Sequence, residues 1–180
     1  VTELVLQQGL GAVSMDAVAA RAGVSKATIY RWWPSKQRLA LDALYGDWAH
    51  IDVAEPNTGS LRGDLLAIVG PWVRELRRRP YGRLVAEFVV EAHADPEFGR
   101  EYRERFVEPR RARMRAVLIR ALEAGDIASG TDVEIALDLI YGALYHRLLH
   151  RHAPLTVDAA QRVVDTALVG LTGPMMSPGT

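Results

Sequence analysis

Residues 14–38 read SMDAVAARAGVSKATIYRWWPSKQR, a run that few folds accept. Ser14, Ser25 and Ser35 each precede helix-forming residues, where a hydroxyl oxygen can accept an orphan backbone N–H. Asp16 falls in a first turn, where a carboxylate suits the positive end of the helix dipole. Gly23 can leave a helix at positive φ without steric cost, and Pro34 cannot continue one. The spacing therefore predicts short helices over 15–22 and 26–33 and a longer one over 36–50. Ala19 is small enough for a crossing helix, Gly23 makes the turn, and Ile29 points back between the pair. That is the spacing of a helix-turn-helix, which any αα-hairpin with a glycine turn shares.

The rest of the chain also has helical periodicity, and no run of alternating β-branched residues suggests a sheet. Helices are expected over 1–9, 61–79, 82–94, 97–124, 132–152 and 157–171, making about nine in all. Pro71 should kink the fifth, Pro80 should end it, and Pro109 should interrupt the seventh. Thr131 with Glu134 reads as a capping box. Residues 52–59 (DVAEPNTG) are the clearest linker, and 173–180 read as a loose tail. The expectation is an all-α protein: a three-helix head over 1–50 joined to a helical body over 51–180. The chain has no cysteine, which removes disulfides, thiol catalysis and Cys-based metal sites. No basic-then-apolar leader opens it and no apolar run of about 20 residues occurs, so a cytoplasmic protein without a membrane partner is expected.

The 180 residues carry no net charge, but the charge is uneven. No acid lies between Asp16 and Asp42, where Arg21, Lys26, Arg31, Lys36 and Arg38 contribute +5. The remaining 17 basic and 22 acidic residues leave −5 elsewhere, and both lysines of the chain are in the basic window. A basic head on an acidic body is compatible with double-stranded DNA as partner. The second helix of the pair would present Ser25, Lys26, Ala27 and Thr28 at its start, groups suited to base edges and phosphates. Lys36 beside Ser35 brings a cation and helix N–H groups to one phosphate. Arg31 points outward toward a base or a phosphate, whereas Ile29 and Trp33 read as core.

The stretch AARAGVSKATIYRWWPSK is similar, almost position for position, to the DNA-binding head of the TetR family of bacterial transcriptional regulators. The resemblance is specific over residues 1–50; beyond them it rests on length, helix count and pattern. It implies a cytoplasmic homodimer, usually a repressor, that binds a palindromic operator and releases it when a small-molecule effector enters the body. It further implies that Lys26, Ala27 and Thr28 face bases, and that Tyr30, Trp32 and Lys36 meet the DNA backbone. The family's first helix is often fuller and preceded by a basic arm; the 180-residue sequence opens at Val1 and includes no such arm.

In the body, residues 135–145 (IALDLIYGALY) are apolar nearly all round, which calls for cover on two sides. A second copy of the chain would supply one side, Gly142 and Ala143 allowing close approach and the last helix adding Ala160, Val164, Ala167, Leu168 and Leu171. Trp72, Phe88, Tyr102, Phe106, Tyr141 and Tyr145 are the large aromatics available to line an effector pocket, and at helical spacing they serve equally as core. His146 and His150 share a helix face, but Arg147 and Arg151 beside them suit a helix C-terminus better than a metal. Glu87 and Glu91 read as a solvated face, and the arginines over 110–115 as a surface paired with earlier acids of the same helix. No nucleophile–base constellation occurs, so no enzyme activity, cofactor or metal is expected. The alternative to a DNA-binding regulator is a helical binding protein whose head docks a protein partner.

Overall fold

The structure of the chain, a computed structural model, describes residue 4 and residues 9–48, 55–78 and 81–172. Every regular element among them is helical: α1 Met15–Ala22, α2 Lys26–Trp32, α3 Lys36–Trp48, α4 Leu61–Arg78, α5 Tyr81–Ala94, α6 Pro96–Tyr102, α7 Glu108–Ala124, α8 Val133–His150 and α9 Val157–Thr172. The expected first helix (Leu4 apart), the start of the linker, the end of the fifth helix at Pro80 and the tail over 173–180 lie outside the described residues. Packing divides the chain into two compact units, one of residues 1–52 with 75–108, the other of 53–74 with 109–180.

In the first unit the local signals act as their chemistry dictates. Ser14 Oγ accepts the Ala17 N–H at 3.1 Å, Ser25 Oγ the Thr28 N–H at 3.1 Å, and Ser35 Oγ the Arg38 N–H at 3.3 Å. Gly23 ends α1 at φ 67°, the left-handed conformation its place required. Ala19 and Ile29 are both buried at the α1–α2 crossing. Further along, Asp95 Oδ1 accepts the N–H groups of Glu97 and Phe98, and Pro96 opens α6. Gly99 lies so close to the end of α5 that a Cβ there would sit 2.6 Å from the Ala92 carbonyl oxygen.

The helix expected over 97–124 is one continuous helical run over 96–124 with a widened turn at its centre. Arg103–Val107 is π-helical, and the Glu108 N–H donates to the Arg103 carbonyl. Pro109 explains it: the residue has no N–H to offer one turn back, and its ring would press on that turn's carbonyl, so the backbone opens just before it. Pro71, by contrast, lies inside an unbroken α4.

In the second unit the segment entering α4 is strapped to α7. Asp64, 5% exposed, accepts from the Thr58 N–H at 2.6 Å, the Thr58 hydroxyl at 2.7 Å and Arg120 Nη2 at 2.6 Å. Burial pushes this carboxyl up, but the Thr58 and Arg120 hydrogen bonds outweigh it and hold the group below its usual value. Arg120 also pairs with Glu55 and donates to the Pro56 carbonyl. Asp132 caps α8 through the Glu134 and Ile135 N–H groups, so the expected capping box at Thr131 is corrected by one residue. The Glu134 side chain is turned instead to Arg111 and Arg115, which hold its carboxyl down to about 2.

Candidate nucleic-acid interface

Helix α2 offers its first turn and one side to solvent. Ser25, Lys26, Ala27, Tyr30, Arg31 and Trp32 are exposed and Thr28 is half-buried; Trp32 is 70% exposed, unusual for so large an apolar ring. The hydroxyls of Ser25 and Thr28 lie 2.8 Å apart. Lys26 Nζ meets Asp16, whose hydrogen bond raises the lysine pKa. Lys36 Nζ donates to the Gly11 carbonyl at 3.1 Å, at the edge of the same head. Trp33 turns away: it is half-buried and its Nε1–H donates to Asp42 Oδ2 at 2.6 Å. Five polar or cationic groups (Ser25, Lys26, Thr28, Arg31 and Lys36), two exposed aromatics and a helix start thus lie on the head, an arrangement suited to a groove walled by phosphates.

The head is fastened to the rest of the first unit by contacts the sequence did not reveal. Glu87 Oε2 accepts the Leu10 N–H at 2.8 Å while Oε1 accepts from Arg83 at 2.9 Å. Glu91 accepts from Gln37 at 3.1 Å. The pair read as a solvated face therefore docks the head. Arg38 bonds Glu97 and Glu101, and Arg105 bonds Asp42 at 2.5 Å and Glu101 at 2.9 Å while lying 5.1 Å from the Tyr45 ring. No local pattern marks these partners; the charge alternation on residues 83–105 was the available signal.

The six aromatics named from the sequence divide between the units. Phe88, Tyr102 and Phe106 join Phe98, Trp48 and Tyr81 in a chain of ring contacts with centroids 5.1–6.3 Å apart. Trp72 meets Tyr141 at 5.7 Å and Tyr145 at 5.3 Å, with the Arg110 guanidinium 5.7 Å from its ring. Trp72 is 1% exposed and its Nε1–H has no hydrogen-bond partner among the described residues. Burial pushes the neighbouring Tyr141 phenol up to about 12.

Helix α8 buries Leu137, Ile140 and Leu144 yet leaves Ile135 and Leu139 each 56% exposed. Gly142 is on the same exposed face, and a Cβ there would meet nothing within 4 Å. The side of α9 named from the sequence is different: Ala160, Val164 and Leu171 are buried inside this unit, and Val169, 75% exposed, marks the open side. Arg111 and Arg115 pair across to α8, Arg111 with Glu134 and Asp138 and Arg115 with Glu134. His146 stacks near His150 and His152, with centroids 4.5 and 4.7 Å away, and no group able to hold a metal occurs among the described residues.

Two family models match the chain: "Bacterial regulatory proteins, tetR family" over residues 2–43 and "Tetracyclin repressor-like, C-terminal domain" over 55–167. The chain is 35% identical over 147 residues to the uncharacterised HTH-type transcriptional regulator YdeS of Bacillus subtilis, covering 82% of this chain and 73% of that one. It is 31% identical over 172 residues to the DNA-binding transcriptional repressor TetR of Mycobacteroides abscessus, covering 96% and 90%. Among solved structures, the TetR family transcription regulator SCO0332 superposes with a TM-score of 0.76 at 36% identity, covering 94% of this chain and 93% of that one.

Proposed function

The chain belongs to the tetR family of bacterial regulatory proteins and is a helix-turn-helix transcriptional regulator, and we propose that it represses by binding a palindromic operator as a homodimer. The observation that carries this reading is the exposed first turn of α2; in this reading Ser25, Lys26, Ala27 and Thr28 face bases, Tyr30, Trp32 and Lys36 meet the DNA backbone, and Arg31 reaches a base or a phosphate. Residues 1–50 form the DNA-binding part in this reading and residues 51–180 the part that binds effector and partner copy. The protein acts where DNA is, in the cytoplasm, and by binding rather than turnover. Two copies of α2 would enter successive major grooves, about 34–36 Å apart or a multiple of that.

The exposed Ile135, Leu139, Gly142 and Val169 support a second copy as cover for α8 and α9. For the effector we favour the place where Trp72 Nε1–H lacks a partner between Tyr141 and Tyr145, a buried donor that a ligand oxygen would satisfy. Phe88, Tyr102 and Phe106 belong to the aromatic chain of the first unit, where Tyr102 stacks on Phe106 and Phe106 meets Trp48, and would serve there as a second candidate wall for an effector. The test is a titration of the dimer on an inverted-repeat duplex at two salt concentrations, repeated with a compound shown to bind. Salt-sensitive binding that the compound weakens about 5- to 150-fold is expected. Binding to a protein ligand of the head, with no affinity for any duplex, would favour the docking alternative.

A further inference from the structure

The long cation at the start of α2 is already held. Lys26 Nζ lies 2.8 Å from Asp16 Oδ1 and 3.0 Å from Oδ2, so both oxygens of one carboxylate reach it. The same ammonium lies 5.9 Å from the centre of the Tyr30 ring. The pair joins the first turn of α1 to the first turn of α2, and its side chains remain 55% and 66% exposed. Asp16 is thus an acid at the edge of the face that is to meet a polyanion, gripping the residue that is to meet it first.

A pair this exposed couples weakly, by up to about fivefold in an equilibrium. It can therefore be drawn apart or shared, and the outcome depends on what the DNA offers. A phosphate would exchange one anion for another and leave Asp16 facing the duplex. A guanine edge differs, because O6 and N7 are two acceptors on a neutral group. The lysine ammonium has three hydrogens, enough to keep Asp16 on one and bond both acceptors with the others.

We propose that Asp16 is a specificity-determining residue that withholds Lys26 from phosphates and shares it with a two-acceptor base edge. Its effect is a penalty on wrong sites more than a gain on the right one. This rests on α2 being the DNA-contacting helix.

The experiment compares wild type, Asp16→Asn and Asp16→Ser on the operator obtained by selection from random DNA and on a scrambled duplex of equal length and composition. Both substitutions should raise affinity for the scrambled duplex by up to about fivefold and steepen its salt slope by about 0.9, as one more phosphate contact would. Operator affinity should change less, so the ratio of the two falls. In a Lys26→Ala background the same substitutions should change nothing, and Glu104→Gln, which removes a distant exposed acid, should leave the ratio intact. Unchanged scrambled-duplex affinity, an equal rise on both duplexes, or a rise that persists without Lys26 would overturn the proposal. The reading beneath it fails differently: Lys26→Ala and Lys36→Ala would then leave binding to every duplex unaltered.

Discussion

Trp33 donates its indole N–H to Asp42 at 2.6 Å, so the acid that closes the basic window on its C-terminal side is turned onto a residue of that window. The bond ties the end of α2 to the middle of α3, and Asp42 is in turn held by Arg105. Trp33→Phe keeps most of the ring but removes the donor. A hydrogen bond to a charged, half-buried acceptor contributes about 1.5–3 kcal/mol, and urea unfolding should show a loss near the lower end because Arg105 remains. The base preference selected from random DNA should not change; a changed preference would move Trp33 to the DNA face.

Lys36→Ala should weaken binding to all DNA sequences alike and lower the salt slope by about one unit. In the free protein Lys36 bonds the Gly11 carbonyl, an exposed contact easily exchanged for a phosphate. Affinities measured over a range of salt check this, and an unchanged slope would remove Lys36 from the interface.

Asp64→Asn should cost about 2–3 kcal/mol, since an amide cannot accept from Thr58 and Arg120 together as a carboxylate does. The folded pKa is below the unfolded one, so this stability is complete above the unfolded value near 3.8 and is lost as pH falls through the folded value. Unfolding of both proteins at several pH values should therefore show a gap that is constant at neutral pH and narrows below about 4. A gap independent of pH would mean that the charge is not what the strap uses.

Gly142→Glu should give a folded monomer. The position opens on empty space, so the side chain needs no repacking within the chain, while a charge there would be buried by a second copy packed on Ile135 and Leu139. Sedimentation with a circular-dichroism melt checks both halves: a dimer with a normal melt would place the interface elsewhere.

What the sequence made legible is what chemistry decides within a turn or two. Ser14, Ser25 and Ser35 cap because their hydroxyls reach N–H groups three residues on, and Gly23 turns because only glycine is unstrained there. Where two local solutions compete the reading slipped: Asp132 caps α8 in place of Thr131, leaving Glu134 free for Arg111 and Arg115. Pro109 announced an interruption, but the widened turn that accommodates it falls on the residues before it. Partners far apart in the chain left no trace. Glu87 reaches Leu10, and Glu91 reaches Gln37, by virtue of packing that periodicity on α5 does not encode. The same holds for α9, where both sides are apolar enough to be core and only the fold decides that Val164 faces inward and Val169 outward.

Selection of bound sequences from a pool of random duplexes tests the central reading most directly. Two copies of α2 presenting Lys26 and Thr28 to successive major grooves should enrich one inverted repeat, its half-sites centred about 10–10.5 base pairs apart or a multiple of that. Enrichment should weaken when the protein carries Lys26→Ala. A pool that stays random after repeated rounds, or a winning sequence without two-fold symmetry, would contradict the account.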